Sequence, residues 1–237
     1  MRVAGSKPRL ARSRSGGWWF RHWAAPRIMA GVTDRSIEVP SFLQQLPGSR
    51  AIRIVQAQQV HGSSVAIIEG LPPAPCSVTG CDALVTRQPG VALLIRTADC
   101  LPILLADPVK AVVGIVHAGW RGLAAWLPMR VVSAFRQAYH SEPRALHVAI
   151  GPAIHSCCYD VGPEFARRFG PFVRQRAGRR TCDLIGVAIS QLRRSGIPRH
   201  RIVESGECTG CDLRHWYSVR KEGDATGRMT SLIMVRP

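Results

Sequence analysis

At 237 residues, with 46% hydrophobic and 20% charged residues, the chain can bury a full core and falls outside the disordered profile. No apolar run reaches the roughly 20 residues that would span a bilayer. The net charge is +17, concentrated in residues 1–30 (+7) and 167–201 (+9), so the rest of the chain is almost neutral.

Residues 1–28 read as a flexible Arg-rich leader, rich in Ser, Gly and Pro and without periodicity, and Met29 is a conceivable alternative start. The leader is basic, but no apolar core or small-residue cleavage site follows it. A cytoplasmic chain is therefore expected, with its eight cysteines as thiols or metal ligands. A single domain is expected over 29–237. Strands are predicted at 51–56, 64–68, 82–86, 91–97, 102–106 and 111–117, separated by Pro89-Gly90 and Asp107-Pro108. The spacing of Leu123, Trp126, Leu127, Val131 and Phe135 predicts a helix over 121–139, which Pro128 kinks or interrupts. A strand at 145–150, helices at 163–169 and 181–194, and strands at 201–204, 216–219 and 231–235 follow. The fold class is α/β: one domain with a mixed β-sheet covered by helices.

Three strings carry chemistry. Gln-Val-His-Gly (59–62), Ala-Asp-Cys-Leu-Pro (98–102) and His-Ala-Gly-Trp-Arg-Gly (117–122) each set one metal-binding side chain beside a strand-like run. His61, Cys100 and His117 would leave the fourth position of a tetrahedral zinc ion open, as catalytic rather than structural sites do. Cys100 stands at a turn between two buried strands, where it serves equally as nucleophile or ligand. The strand–turn–helix order at 117–122 admits two readings. It is a phosphate-binding turn with Arg121 as a bidentate donor, or a plain turn with Trp120 in the core and Arg121 in solvent. Asp99 is either a hydrogen-bond acceptor behind a ligand or a solvated turn residue. Cys208-Thr-Gly-Cys211 is open to three readings: a structural zinc site completed by Cys76, Cys81 or Cys182, a redox pair, or two turn cysteines. Cys157-Cys158 read as packing groups lining the site.

These strings resemble the YfiH-type family, also called the laccase-domain or polyphenol-oxidase-like family. Those that carry the resemblance are 59–62, 97–107, 116–122, Ile-Gly-Pro-Ala-Ile-His-Ser-Cys-Cys-Tyr-Asp-Val-Gly (150–162), Cys208-Thr209 and Thr-Gly-Arg-Met (226–229). The resemblance implies zinc held by His61, Cys100 and His117, with copper as a possible occupant. It implies purine nucleosides and phosphate as substrates, with phosphorolysis of adenosine, inosine and methylthioadenosine, and deamination of adenosine. Arg35, Arg121 and Arg220 are the expected substrate- and phosphate-binding cations. Arg35 stands in Thr33-Asp34-Arg35, where the family has a Ser/Thr-x-Arg string, although the Gly-Gly-Val-Ser loop that should follow is absent. The family's Ser-Tyr-Arg-Arg appears as Ser218-Val219-Arg220-Lys221.

Two rival activities stand beside this one. A laccase-like polyphenol oxidase would need many imidazoles, but the chain has eight histidines and no His-x-His pair. A Cys100-dependent amidase acting on peptidoglycan precursors would use the same residues without metal. A nucleic-acid partner is not expected, because no binding motif accompanies the basic patches and the motif-bearing middle is nearly neutral.

Overall fold

The computed structural model describes residues 8–48, 51–73 and 75–237. Fifteen strands are found among them. They are β1 Arg9–Arg12, β2 Trp18–Arg21, β3 Ile28–Val32, β4 Arg53–Gln58, β5 Val65–Ile68, β6 Cys76–Thr79, β7 Ala83–Thr86 and β8 Val91–Thr97. β9 Leu101–Asp107, β10 Val112–Ala118, β11 His147–Ile150, β12 Val173–Arg176, β13 Arg179–Cys182, β14 Ile202–Glu204 and β15 Met229–Val235 complete the set. The helices are α1 Val39–Leu43, α2 Trp120–Ala124, α3 Leu127–Tyr139, α4 Glu164–Phe169, α5 Leu184–Arg194 and α6 Val219–Glu222.

The expected α/β class stands, and thirteen of the strands divide between two mixed sheets, while β12 and β13 pair with each other as a separate two-stranded ribbon. One runs β1-β2-β3-β15-β8-β4-β6, the other β14-β11-β9-β10-β7-β5. Alternation along the central strands shows how the layers stack. Val91, Leu93 and Ile95 of β8 meet Leu104 and Ala106 of β9 and Val113 and Ile115 of β10 between the sheets. The opposite face of β8, Ala92 and Leu94, packs on Phe42 of α1. The opposite faces of β9 and β10 pack on α3 and α5 through Leu105, Val116, Val131, Phe135 and Leu192. β9 and β10 are thus buried on both faces, which is why they read as continuous apolar runs rather than alternating ones.

The flexible leader is corrected over its described part. β1 and β2 form an antiparallel hairpin that joins β3 and extends the first sheet, with Trp19, Phe20 and Trp23 buried. Asp34 ties them down: its carboxylate accepts the Trp18 indole N–H at 2.9 Å and the Ser36 amide at 2.8 Å, and pairs with Arg12 at 3.4 Å. Aromatic burial on a sheet edge leaves no periodic run to recognise, so these residues resemble a tail in sequence. Residues 1–7 lie outside the described residues. A chain starting at Met29 would expose those three aromatics' partners, each burial being worth about 1.5–3 kcal/mol. We expect residues 29–237 alone to aggregate, or to melt well below the full chain in a thermal scan; equal melting would show the hairpin to be dispensable.

The expected helix over 121–139 is broken in two. Trp126 adopts a left-handed conformation (φ +61°), and Pro128 sits in the first turn of α3, where its missing N–H costs nothing. The expected strand at 216–219 is absent: Trp216 is wholly buried in a turn and α6 begins at Val219. The helix expected from 181 begins at Leu184, because β13 takes residues up to Cys182 and the Asp183 carboxylate caps the Gly186 amide. No helix among the described residues is long and apolar enough to cross a membrane.

Candidate active site

Three connections meet at one end of the two sheets. His61 follows β4, Cys100 lies between β8 and β9, and His117 is the penultimate residue of β10. Their ligand atoms lie within 4.8 Å of one another, and the two imidazole rings stand edge to face at 4.7 Å between centroids. His117 is buried, Cys100 half-buried and His61 exposed, so the cluster opens to one side.

A carboxylate that the sequence reading passed over organises the cluster. Asp82, fully buried immediately before β7, accepts the backbone N–H groups of Val60 (3.2 Å), His61 (3.0 Å) and Gly62 (2.7 Å). It also takes the His117 Nδ1 at 2.7 Å, and the His117 amide donates to its carbonyl. Three successive N–H groups on one carboxylate hold His61 in the left-handed region (φ +58°), a conformation that costs about 1–2 kcal/mol without support. With Nδ1 engaged, His117 turns Nε2 toward Cys100. The only signal in sequence was an acid opening an otherwise apolar strand.

Charge reinforces the arrangement. Burial pushes the Cys100 thiol up, but hydrogen bonds from His117 and His61 outweigh it and bring it down to about 7. Burial likewise pulls His117 down, and hydrogen bonds to Asp82 and Cys100 overcome it, raising the imidazole to about 9. Gly119 supplies the clearance, since a Cβ there would stand 3.0 Å from the Cys100 Sγ and 3.3 Å from the His61 ring. Two imidazoles and a readily ionised thiol form a donor set suited to zinc.

The cluster lies on the wall of a cavity of about 930 Å³, a volume suited to a nucleoside-sized ligand. Arg220 lines it, stacked over the Tyr159 ring at 4.9 Å, as do Arg96, Arg228, Gln56 and Gln58. Arg96 is the one exposed residue of β8, and a charge in the apolar run Val-Ala-Leu-Leu-Ile-Arg-Thr was its signal. Arg35 and Arg121 do not line this cavity. Arg35 is tied to the Trp216 carbonyl and to Glu222, and lies over Tyr217; Arg121 folds onto its neighbour Trp120, 4.6 Å from the ring. Asp99 is neither solvated nor placed behind a ligand. Held at φ +85°, it accepts the Thr209 hydroxyl and the Arg220 amide, both at 2.7 Å, and so positions the Arg220 segment beside Cys100.

A family model described as multi-copper polyphenol oxidoreductase laccase matches residues 10–236. A purine nucleoside phosphorylase of Deinococcus radiodurans is 38% identical over 222 residues, which cover 89% of this chain and 83% of that protein. The protein named adenosine deaminase RL5, from an unknown prokaryotic organism, is 32% identical over 74% of this chain and 72% of its own length. YlmD of Geobacillus stearothermophilus, named a purine nucleoside phosphorylase, is 33% identical over 76% of this chain and 72% of its own. The crystal structure of YlmD superposes with a TM-score of 0.84 at 28% identity, over 98% of this chain and 100% of that one. On the match of nearly its whole length to the family model, and on this degree of identity with the curated relatives, the chain belongs to the YfiH-type family described as multi-copper polyphenol oxidoreductase laccase.

Proposed function

We propose that this protein is a zinc-dependent purine nucleoside enzyme that phosphorolyses adenosine, inosine and methylthioadenosine and deaminates adenosine. The observation that carries the reading is the meeting of His61, Cys100 and His117 on the wall of a cavity rich in Arg and Gln. The names of the relatives, purine nucleoside phosphorylases and an adenosine deaminase, supply the substrate class. Zinc held by these three residues would contribute Lewis acidity and lower the pKa of a bound water to about 7.

The chain's own groups do the rest. Arg220, with Arg96 and Arg228 on the same wall, presents cations to the phosphate that attacks the ribose anomeric carbon as the purine leaves. Gln56 and Gln58 offer amides that can pair with the polar edge of a purine. Deamination uses the same purine pocket and needs no phosphate.

This division of labour predicts a selective defect. Losing one charge-assisted contact of about 1.5–3 kcal/mol in Arg220→Ala should raise the phosphate KM by about 10- to 100-fold. Adenosine deamination should change little. Rates of base release from inosine against phosphate concentration, beside ammonia release from adenosine without phosphate, test it. Equal loss of both activities would mean that Arg220 maintains the fold of the pocket rather than binding phosphate. No phosphate-dependent base release from any purine nucleoside would refute the reading itself.

Copper-dependent phenol oxidation is the weaker reading. Among the described residues, the His61 cluster is the one metal-ligating group that contains imidazole, and it has two. That set is too small for a multicopper centre.

A further inference from the structure

We propose a second metal site, a structural tetrathiolate zinc formed by Cys157, Cys158, Cys208 and Cys211. It is separate from the His61 cluster and does not rest on the nucleoside reading.

The four sulfurs come from two short turns and lie within 4.8 Å of one another. Cys157 Sγ is 3.9 Å from Cys158, 3.6 Å from Cys208 and 3.4 Å from Cys211, and Cys158 is 3.4 Å from Cys211. Zinc–sulfur bonds of about 2.3 Å place tetrahedral sulfurs ~3.8 Å apart, so these separations already approximate the edges of such a tetrahedron. All four thiols are free, and none of Cys76, Cys81 or Cys182 takes part.

The backbone is shaped for the approach. The Cys211 amide donates to the Cys208 carbonyl and the Cys158 amide to the His155 carbonyl, so each pair sits on a closed turn. The His155 amide points at the Cys208 Sγ at 3.4 Å, an N–H–S contact that favours thiolate. Gly210 leaves room: a Cβ there would stand 2.7 Å from the Cys158 Cβ and 3.0 Å from its Sγ. Cys158 and Cys208 are buried while Cys157 and Cys211 are exposed, so an ion can enter from solvent and be closed in.

The position gives the site a task. Ala153 bridges to Cys208, the Thr209 amide donates to the Ala153 carbonyl, and the Thr209 hydroxyl holds Asp99 beside Cys100. Tyr159, on the wall of the active-site cavity, directly follows the first cysteine pair. Cross-linking the two turns through one ion would fix this wall without a disulfide.

Zinc content and cobalt spectra of the full chain test the proposal. Wild type purified without chelator should carry about two zinc ions, and Cys100→Ala and Cys211→Ser about one each. Cobalt-loaded Cys100→Ala should show intense thiolate-to-cobalt charge transfer and tetrahedral ligand-field bands. That spectrum decides the matter even if Cys211→Ser fails to fold. Wild type with one zinc that Cys100→Ala loses entirely, cobalt-loaded Cys100→Ala without a thiolate band, or intact masses of alkylated protein showing a disulfide within the cluster would each overturn it.

Discussion

Cys100→Ala should abolish zinc retention at the His61–His117 pair and lower turnover of both adenosine and inosine by about three orders of magnitude. The estimate follows from the several kcal/mol that a bound ion supplies to transition-state charge, at 1.36 kcal/mol per tenfold. Without the sulfur, two imidazoles remain, one of them exposed, and neither supplies the negative charge that neutralises a dication. The fold should survive. Cys100 is half-buried in a short connection, its replacement is small, and Asp82 keeps both histidine segments in place. Thermal unfolding should therefore move by no more than about 1 kcal/mol in metal-free protein. Zinc analysis and paired assays check this. Full turnover in the variant would end the metal reading, and activity in wild type that survives complete chelation would favour Cys100 as a nucleophile instead.

The second large effect is expected at a residue that touches no substrate. Asp82→Asn keeps the size of the side chain but replaces an acceptor oxygen with an NH2 group. The wild-type carboxylate faces four donors: the amides of residues 60, 61 and 62 and the His117 Nδ1. An amide can serve some of them and must turn a donor toward the rest. One buried donor left unpaired costs about 1–3 kcal/mol, and the left-handed conformation of His61 loses part of its support. The imidazole of His117 is also freed to rotate or change tautomer. Loss of such a partner behind a ligand typically weakens metal affinity or activity by 10–100-fold. We expect zinc affinity and turnover to fall together by that factor, with a lower melting temperature. Competition with a chromophoric chelator measures the affinity. Unchanged affinity with unchanged activity would show that the backbone, not Asp82, sets the site.

The His61, Cys100 and His117 strings were legible because each ligand stands where an apolar strand ends, and strand ends are visible as breaks in hydropathy. β8 was legible to the residue for the same reason, being a buried run closed off by Pro89-Gly90 before it and Asp99 after it. Arg228 lies inside the string Thr-Gly-Arg-Met, yet only the placement of β15 beside β8 and β3 carries it to the cavity. Arg35 and Arg121 stand out in the sequence by their charge and their motif neighbours. Charge alone does not determine direction, and each found a nearer partner in Glu222 or Trp120.

The sequence by itself determined the α/β class, the central strands, and three side chains of metal-ligating chemistry, because hydrophobic periodicity and ligand chemistry are local properties. Only the tertiary structure decided that β4 lies beside β8 and β10 beside β7, which brings His61 and His117 onto one carboxylate at residue 82. It also decided that the first strands extend the sheet rather than trail from it, and that two cysteine pairs about fifty residues apart meet. Those facts depend on strand order and on loop closure across long separations, whose cost grows only slowly with the length of the loop. Adjacent residues therefore do not report them.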